Sequence, residues 1–157
     1  MLQIAQNIGI ILAVFIGMEG VAWLAHKYIM HGLGWFLHAD HHNKPIESFF
    51  ERNDYFFLIF ALPGITGLYF GMQNGFNYLF WGGVGITLYG AAYFLVHDIF
   101  IHQRFNLFKN TDSIYLRAIR KAHKVHHKHL GKEQGESFGM LWVPFKHFRE
   151  AYESAKK

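Results

Sequence analysis

The stretch YFFLIFALPGITGLYFGMQNGFNYLFWGGVGITLYGAAYFLV, residues 55–96, decides the fold. Tyr55 to Met72 carries no charge in 18 residues, and Phe76 to Val96 carries none in 21. Only the polar Gln73-Asn74-Gly75 lies between them. About 20 apolar residues cross the hydrocarbon core of a bilayer, so the pattern predicts a tight hairpin of two membrane helices. Pro63-Gly64 would end a soluble helix, but a membrane helix tolerates the kink. Gly67 and Gly71 form one GxxxG, a spacing that lets a second helix come close.

Working outward, Leu2 to Ala25 is a third apolar run whose only charge is Glu19. It lacks the basic start and small-residue cleavage site of a signal peptide. A chain of 157 residues leaves too little sequence to cover three all-apolar helices inside a soluble core. The expectation is an all-α integral membrane protein of one domain, residues 1–157, with about three transmembrane helices and a histidine-rich helical cap. All 15 Lys and Arg fall in 27–52 or 104–157. By the positive-inside rule both segments face the cytoplasm, so the chain starts outside the cell membrane and ends inside. The basic face (15 positive residues against ten acidic ones outside the spans) is read as an orientation signal or a contact with anionic lipid. No nucleic-acid partner is expected.

The 12 histidines share that address. HKYIMH places His26 and His31 at the inner end of the first run, and HADHH adds His38, His41 and His42. HDIFIH places His97 and His102 at the inner end of the third run, and HKVHH adds His123, His126 and His127 in the basic tail. The order HxxxxH then HxxHH occurs twice. Residues three and four apart share a helix face, so two members of each trio can serve one ion while the third reaches a neighbouring one. A five-residue step turns an ideal helix about 140° off face. Both members of an HxxxxH pair can therefore meet one site only where the helix is irregular, as often happens at functional sites. The tail helix has candidate caps in Thr111, Asp112 or Ser113 and a candidate stop at Gly131.

There is no Cys, which excludes disulfides, thiolate metal sites and Cys nucleophiles. All-imidazole sites suit zinc, copper, iron or nickel. Ten histidines exceed the four ligands of a structural zinc site, so two ions with open positions are expected. Such a site, hung from the ends of membrane helices, suits O₂ chemistry on an apolar substrate arriving through the bilayer. His129 and His147 lie outside the motifs and are read as surface residues or as supports of the ligands. No catalytic residue beyond the metal ligands is expected.

The order of the four motifs resembles the fatty-acid hydroxylase superfamily of membrane non-haem di-iron enzymes. HKYIMHGLGWFLHADHH (26–42), FERNDYFF (50–57), HDIFIHQRF (97–105) and YLRAIRKAHKVHHKHLGKEQGESFGMLWVP (115–144) are similar to its bacterial β-carotene hydroxylase branch. The resemblance implies hydroxylation at C3 of β-ionone rings, two iron ions, O₂ and a reduced ferredoxin-type donor. It carries the ten motif histidines over as iron ligands. Asp98 also matches the family's word, and a carboxylate there can orient a ligand imidazole, with a helix cap or a surface position as the alternative roles. Glu19 is an ionisable group at membrane depth, on roughly the helix side of His26, and is a candidate for a role at the site or the substrate path or, equally, for an interfacial or helix-packing role. Gly82, Gly83, Gly85, Tyr89 and Tyr93 are candidates to shape a substrate groove, with ordinary helix packing the expected role of any single one. Two other readings remain open: a carotenoid ketolase or fatty-acid or sterol hydroxylase on the same metals, and a membrane metal-binding or transport protein. Transport would need ligands near mid-membrane, where the runs hold no histidine.

Overall fold

The computed structural model describes residues 1–43, 49–105 and 107–156; Lys44 and Lys157, two of the basic residues used above, lie outside them. Among the described residues there are helices and no strands. Helix α1 (Leu2–Leu24) runs without a break into a π-helical turn, Ala25–Leu33, and α2 (Trp35–His42) follows a kink at Gly32. Helices α3 (Asp54–Gln73) and α4 (Tyr78–Tyr93) form the hairpin, and α4 also continues as a π-helical segment, Phe94–Ile101. The amphipathic helices α5 (Ile114–His126) and α6 (Phe145–Ala155) complete the chain.

Leu2–Leu33, Asp54–Gln73 and Tyr78–Ile101 are each long and apolar enough to cross a membrane. Their apolar side chains face outward: Leu12, Ile16, Leu58 and Leu62 are all exposed, as suits lipid. Helix association in lipid depends on close backbone approach more than on burial of apolar surface. That explains the glycines. A Cβ on Gly71 would lie 2.1 Å from the Phe80 nitrogen, and one on Gly83 would lie 2.7 Å from the Leu68 nitrogen. The GxxxG face thus packs α3 onto α4. Gly85 does the same work toward α1, where its Cβ would meet the Ile11 carbonyl at 2.9 Å.

The polar end is built differently. Ala118, Ile119 and Ala122 of α5 pack with Val143 and with Ala151 of α6 in a small apolar core. Ser113 caps α5 by accepting from the Leu116 N–H. The helix stops at His126, short of Gly131, in a turn where the Lys128 and His129 N–H groups reach the Val125 and His126 carbonyls.

Candidate metal centre

His26 and His31 lie within the first π-helical segment, and His97 lies within the second, which His102 caps. The His102 N–H donates to the His97 carbonyl at 2.9 Å, a five-residue step. This wider turn brings the rings of His97 and His102 to 4.5 Å and those of His26 and His31 to 5.2 Å. The irregularity expected from the spacing is therefore present, and it takes the form of a π-turn.

The histidines gather into two adjoining groups. Ligand atoms of His26, His31, His38, His42 and His126 lie within 4.8 Å of one another, as do those of His41, His97, His102 and His123. Each HxxHH trio is split between the groups. His38 and His42 go to the first and His41 to the second, while His126 goes to the first and His123 to the second. His127 stacks on His42 at 4.5 Å, yet its ring also lies 4.5 Å from His123, 4.8 Å from His41 and 4.9 Å from His102. Its Nε2 is buried and has no hydrogen-bond partner. This places His127 beside the second group.

The ring nitrogens show whether these groups suit a cation. His26, His31, His42 and His126 each direct Nδ1 at a backbone carbonyl: Phe138 at 3.0 Å, Lys132 at 3.0 Å, His129 at 3.0 Å and Glu136 at 2.9 Å. A carbonyl only accepts, so each Nδ1 carries the proton and each Nε2 is a bare lone pair. His38 donates from Nδ1 to Asn53 Oδ1 at 2.6 Å. The bare Nε2 atoms nevertheless oppose one another: His26 and His38 at 3.1 Å, His31 and His126 at 3.2 Å, His38 and His42 at 3.2 Å. In the second group His41 and His97 oppose at 3.1 Å, with their Nδ1 atoms held by Glu51 and Asp98. Lone pair against lone pair is repulsive, and a shared cation turns that repulsion into ligation. The donor set fits bound metal.

Burial also keeps these rings neutral. It pushes His38 down to about 2 and His127 to about 2, His126 to about 3 and His42 to about 4; His41 and His123 also fall well below 6.5. Neighbouring imidazoles add to the effect. Metal ligation needs the neutral ring.

The two groups have different surroundings. One loop, residues 129–138, supplies all four carbonyls to the first group. The second is backed by carboxylates. Glu51 Oε2 accepts from His41 Nδ1 at 2.6 Å, and Asp98 Oδ2 accepts from His97 Nδ1 at 3.2 Å. Arg104 joins them: it donates to both oxygens of Asp54, to Asp98 at 3.0 Å, and lies 3.5 Å from Glu51. Burial pushes Glu51 up from the usual carboxylate range, and Arg104 opposes that shift. For Arg104 burial acts downward, but the bonds to Asp54 and the charge of Asp98 outweigh it and hold the guanidinium protonated.

Asp98 thus touches His97, as its position suggested. Glu19 touches no histidine. Its Oε1 accepts from the Met140, Leu141 and Trp142 N–H groups at 2.8–2.9 Å, and its Oε2 accepts from the Tyr89 hydroxyl at 2.8 Å. It anchors the far end of the loop that holds the first group. The surface half of the reading of His147 is corrected, because α6 packs on α5 and buries it; the supporting half stands through the loop, whose Ser137 Oγ lies 3.3 Å from its Nε2. His129 contributes its carbonyl. Glu51, Asn53, Asp54 and Arg104 were not singled out from sequence; their only signal was membership of FERNDYFF and HDIFIHQRF.

An apolar cavity of about 170 Å³ opens between α1, α3 and α4. Met18 and Ala22, Phe56 and Phe60, Tyr89 and Tyr93 line it, with His26, Asn53 and Phe138 at the metal end. Of the groove candidates Tyr89 and Tyr93 line it, while Gly83 and Gly85 are spent on helix packing and Gly82 faces Val14 of α1.

The fatty acid hydroxylase family matches residues 11–146, over the three long helices and all ten motif histidines. The chain belongs to the fatty acid hydroxylase family. Within reach of this family, the chain is 44% identical over 138 residues to a beta-carotene hydroxylase of Pantoea ananas, covering 88% of this chain and 78% of that one. It is 41% identical over 141 residues to a beta-carotene hydroxylase of Pseudescherichia vulneris, covering 90% and 78%. A chloroplastic beta-carotene 3-hydroxylase 2 of Arabidopsis thaliana is 39% identical over 132 residues, 82% of this chain and 43% of the plant protein. No solved structure gives a significant match.

Proposed function

We propose that this fatty acid hydroxylase family member is a membrane non-haem di-iron monooxygenase that hydroxylates C3 and then C3′ of β-ionone rings. β-Carotene becomes cryptoxanthin and then zeaxanthin. The observation that carries this reading is the apolar cavity beside His26, between helices apolar enough to lie in a bilayer. An engineered cavity of about 150 Å³ holds benzene, so this one suits a single ring end of a long lipid. The rest of the polyene would lie outside it along the lipid-facing helices. The relatives' names supply the ring's identity.

The ten motif histidines are the ligands in this reading: His26, His31, His38, His42 and His126 for one ion, and His41, His97, His102, His123 and His127 for the other. The chemistry a bound di-iron centre supplies is activation of O₂, with one oxygen atom entering the ring C–H bond and the other leaving as water. The protein's residues do the placing. The loop carbonyls, the Asn53 amide and the two carboxylates hold the Nδ1 protons of seven rings, so those seven Nε2 lone pairs are offered inward. Phe138 packs on His26, His31 and His126 at 5.2–5.4 Å and shields them from water. Aromatic walls from α3 and α4 orient the ring. The two electrons come from a ferredoxin-type donor at the basic face, which is cytoplasmic in a cell membrane by the positive-inside rule.

The test is expression in cells that make β-carotene, followed by pigment analysis. Cryptoxanthin and zeaxanthin are expected. A keto group at C4 would make the chain a ketolase, and hydroxylated fatty acyl chains with β-carotene untouched would leave only the family assignment.

A further inference from the structure

The two histidine groups are held by chemically different partners, and this has a consequence for how they take up metal. We propose that the group around His41 and His97 binds its ion more tightly than the group around His26 and His126. Glu51 and Asp98 are the positioning residues responsible, tied together by Arg104. This inference rests on the reading that both groups hold metal.

An imidazole that donates Nδ1–H to a carboxylate is a more basic ligand at Nε2 than one that donates to a neutral carbonyl. Charge-assisted hydrogen bonds are roughly twice as strong as neutral ones, and the anion draws the proton and returns electron density to the ring. His41 and His97 each have such a partner. In the first group four rings face backbone carbonyls and the fifth faces an amide, so none has a carboxylate. Charge acts the same way. Among the described residues, Glu51, Asp54 and Asp98 surround one cation, Arg104, which leaves net negative charge beside the second group. The carboxylates are also well fixed: the Glu51 N–H donates to Asp54 Oδ2 at 3.0 Å, and the Arg104 N–H donates to the Asp98 carbonyl at 2.9 Å.

The experiment is titration of the metal-free full chain in detergent with Co²⁺ against a competing chelator, following the ligand-field absorption. The wild type should fill in separable steps, one ion before the other. Glu51→Gln should weaken the tighter step by about 10- to 100-fold, the usual cost of losing such a support, and leave the weaker step and its spectrum in place. Asp98→Asn should repeat the pattern, which covers the case in which one variant does not fold. A residue that merely stabilised the fold would weaken both steps alike. Two ions bound with equal affinity in the wild type, or equal weakening of both steps in the variants, would overturn the inference. Binding of fewer than two ions would instead overturn the metal reading on which it stands.

Discussion

Glu19→Ala is the substitution with the most to say about how a membrane helix serves a site it does not touch. The carboxylate satisfies four donors: three successive backbone N–H groups, Met140 to Trp142, and the Tyr89 hydroxyl. Removing it strands the N–H groups of Met140 and Leu141 and the hydroxyl in partly buried surroundings. Each stranded donor costs about 1–3 kcal/mol, so about 3 kcal/mol is a lower expectation for the three. At about 2–4 °C per kcal/mol for a chain of this size, thermal unfolding in detergent should move down by roughly 6–12 °C. Glu19→Gln keeps one acceptor oxygen and loses the charge. Charge-assisted bonds are about twice as strong as neutral ones, so roughly half that shift is expected. The loop from Met140 back to His129 supplies the carbonyls for His26, His31, His42 and His126. Metal should therefore be lost first from that group. Unchanged unfolding with full metal content in Glu19→Ala would refute the reasoning.

Other outcomes follow from the same geometry. His126→Ala should lower metal content from about two ions per chain toward one and abolish turnover, checked by elemental analysis and product assay. Gly90→Leu should block turnover with metal content intact, because a Cβ there meets nothing within 4 Å and the side chain enters the cavity. Gly71→Ala should destabilise the α3–α4 hairpin by about 1–3 kcal/mol, since its Cβ would meet the Phe80 backbone. The metal-free protein should be acid-labile. His38, His42, His126 and His127 stay neutral in the fold down to about 4 or below, whereas the unfolded chain protonates them near 6.5. Proton uptake thus favours unfolding: stability is full above about pH 6.5 and falls below it, by about 1.4 kcal/mol per histidine per pH unit. A pH series of unfolding midpoints checks the sign. Tags at residue 1 and in the Gln73–Gly75 turn should be accessible from outside the cell, and one after α6 from inside.

The features legible in the sequence are those that depend on short-range pattern. Uncharged runs of membrane length, the Gln73–Gly75 break and the HxxxxH and HxxHH spacings are local, and each led to the right element. The helix irregularity at each HxxxxH pair also followed from a spacing that an α-helix cannot satisfy, although its form as a π-turn did not. The two-and-one split of each trio followed from the spacing, but which histidine joins which group did not, because it depends on which side chains of α2 and α5 meet. Glu51 and Arg104 stand 53 positions apart, and nothing periodic connects them. His147 was read as a surface or supporting residue, and its burial became visible only with the packing of α6 on α5. Glycine gave the opposite lesson. Gly83 and Gly85 were candidates for a substrate groove with helix packing as the expected alternative, and close helix approach takes up both.

The most direct test of the central claim is a single-turnover assay with the purified, iron-loaded protein, isotopically labelled O₂, a reduced donor and β-carotene. A hydroxyl at C3 carrying the label is expected, with loss of that product in the Gly90→Leu variant while its iron content is unchanged. An unlabelled hydroxyl, oxidation at C4 alone, or undiminished turnover with the cavity filled would contradict the claim.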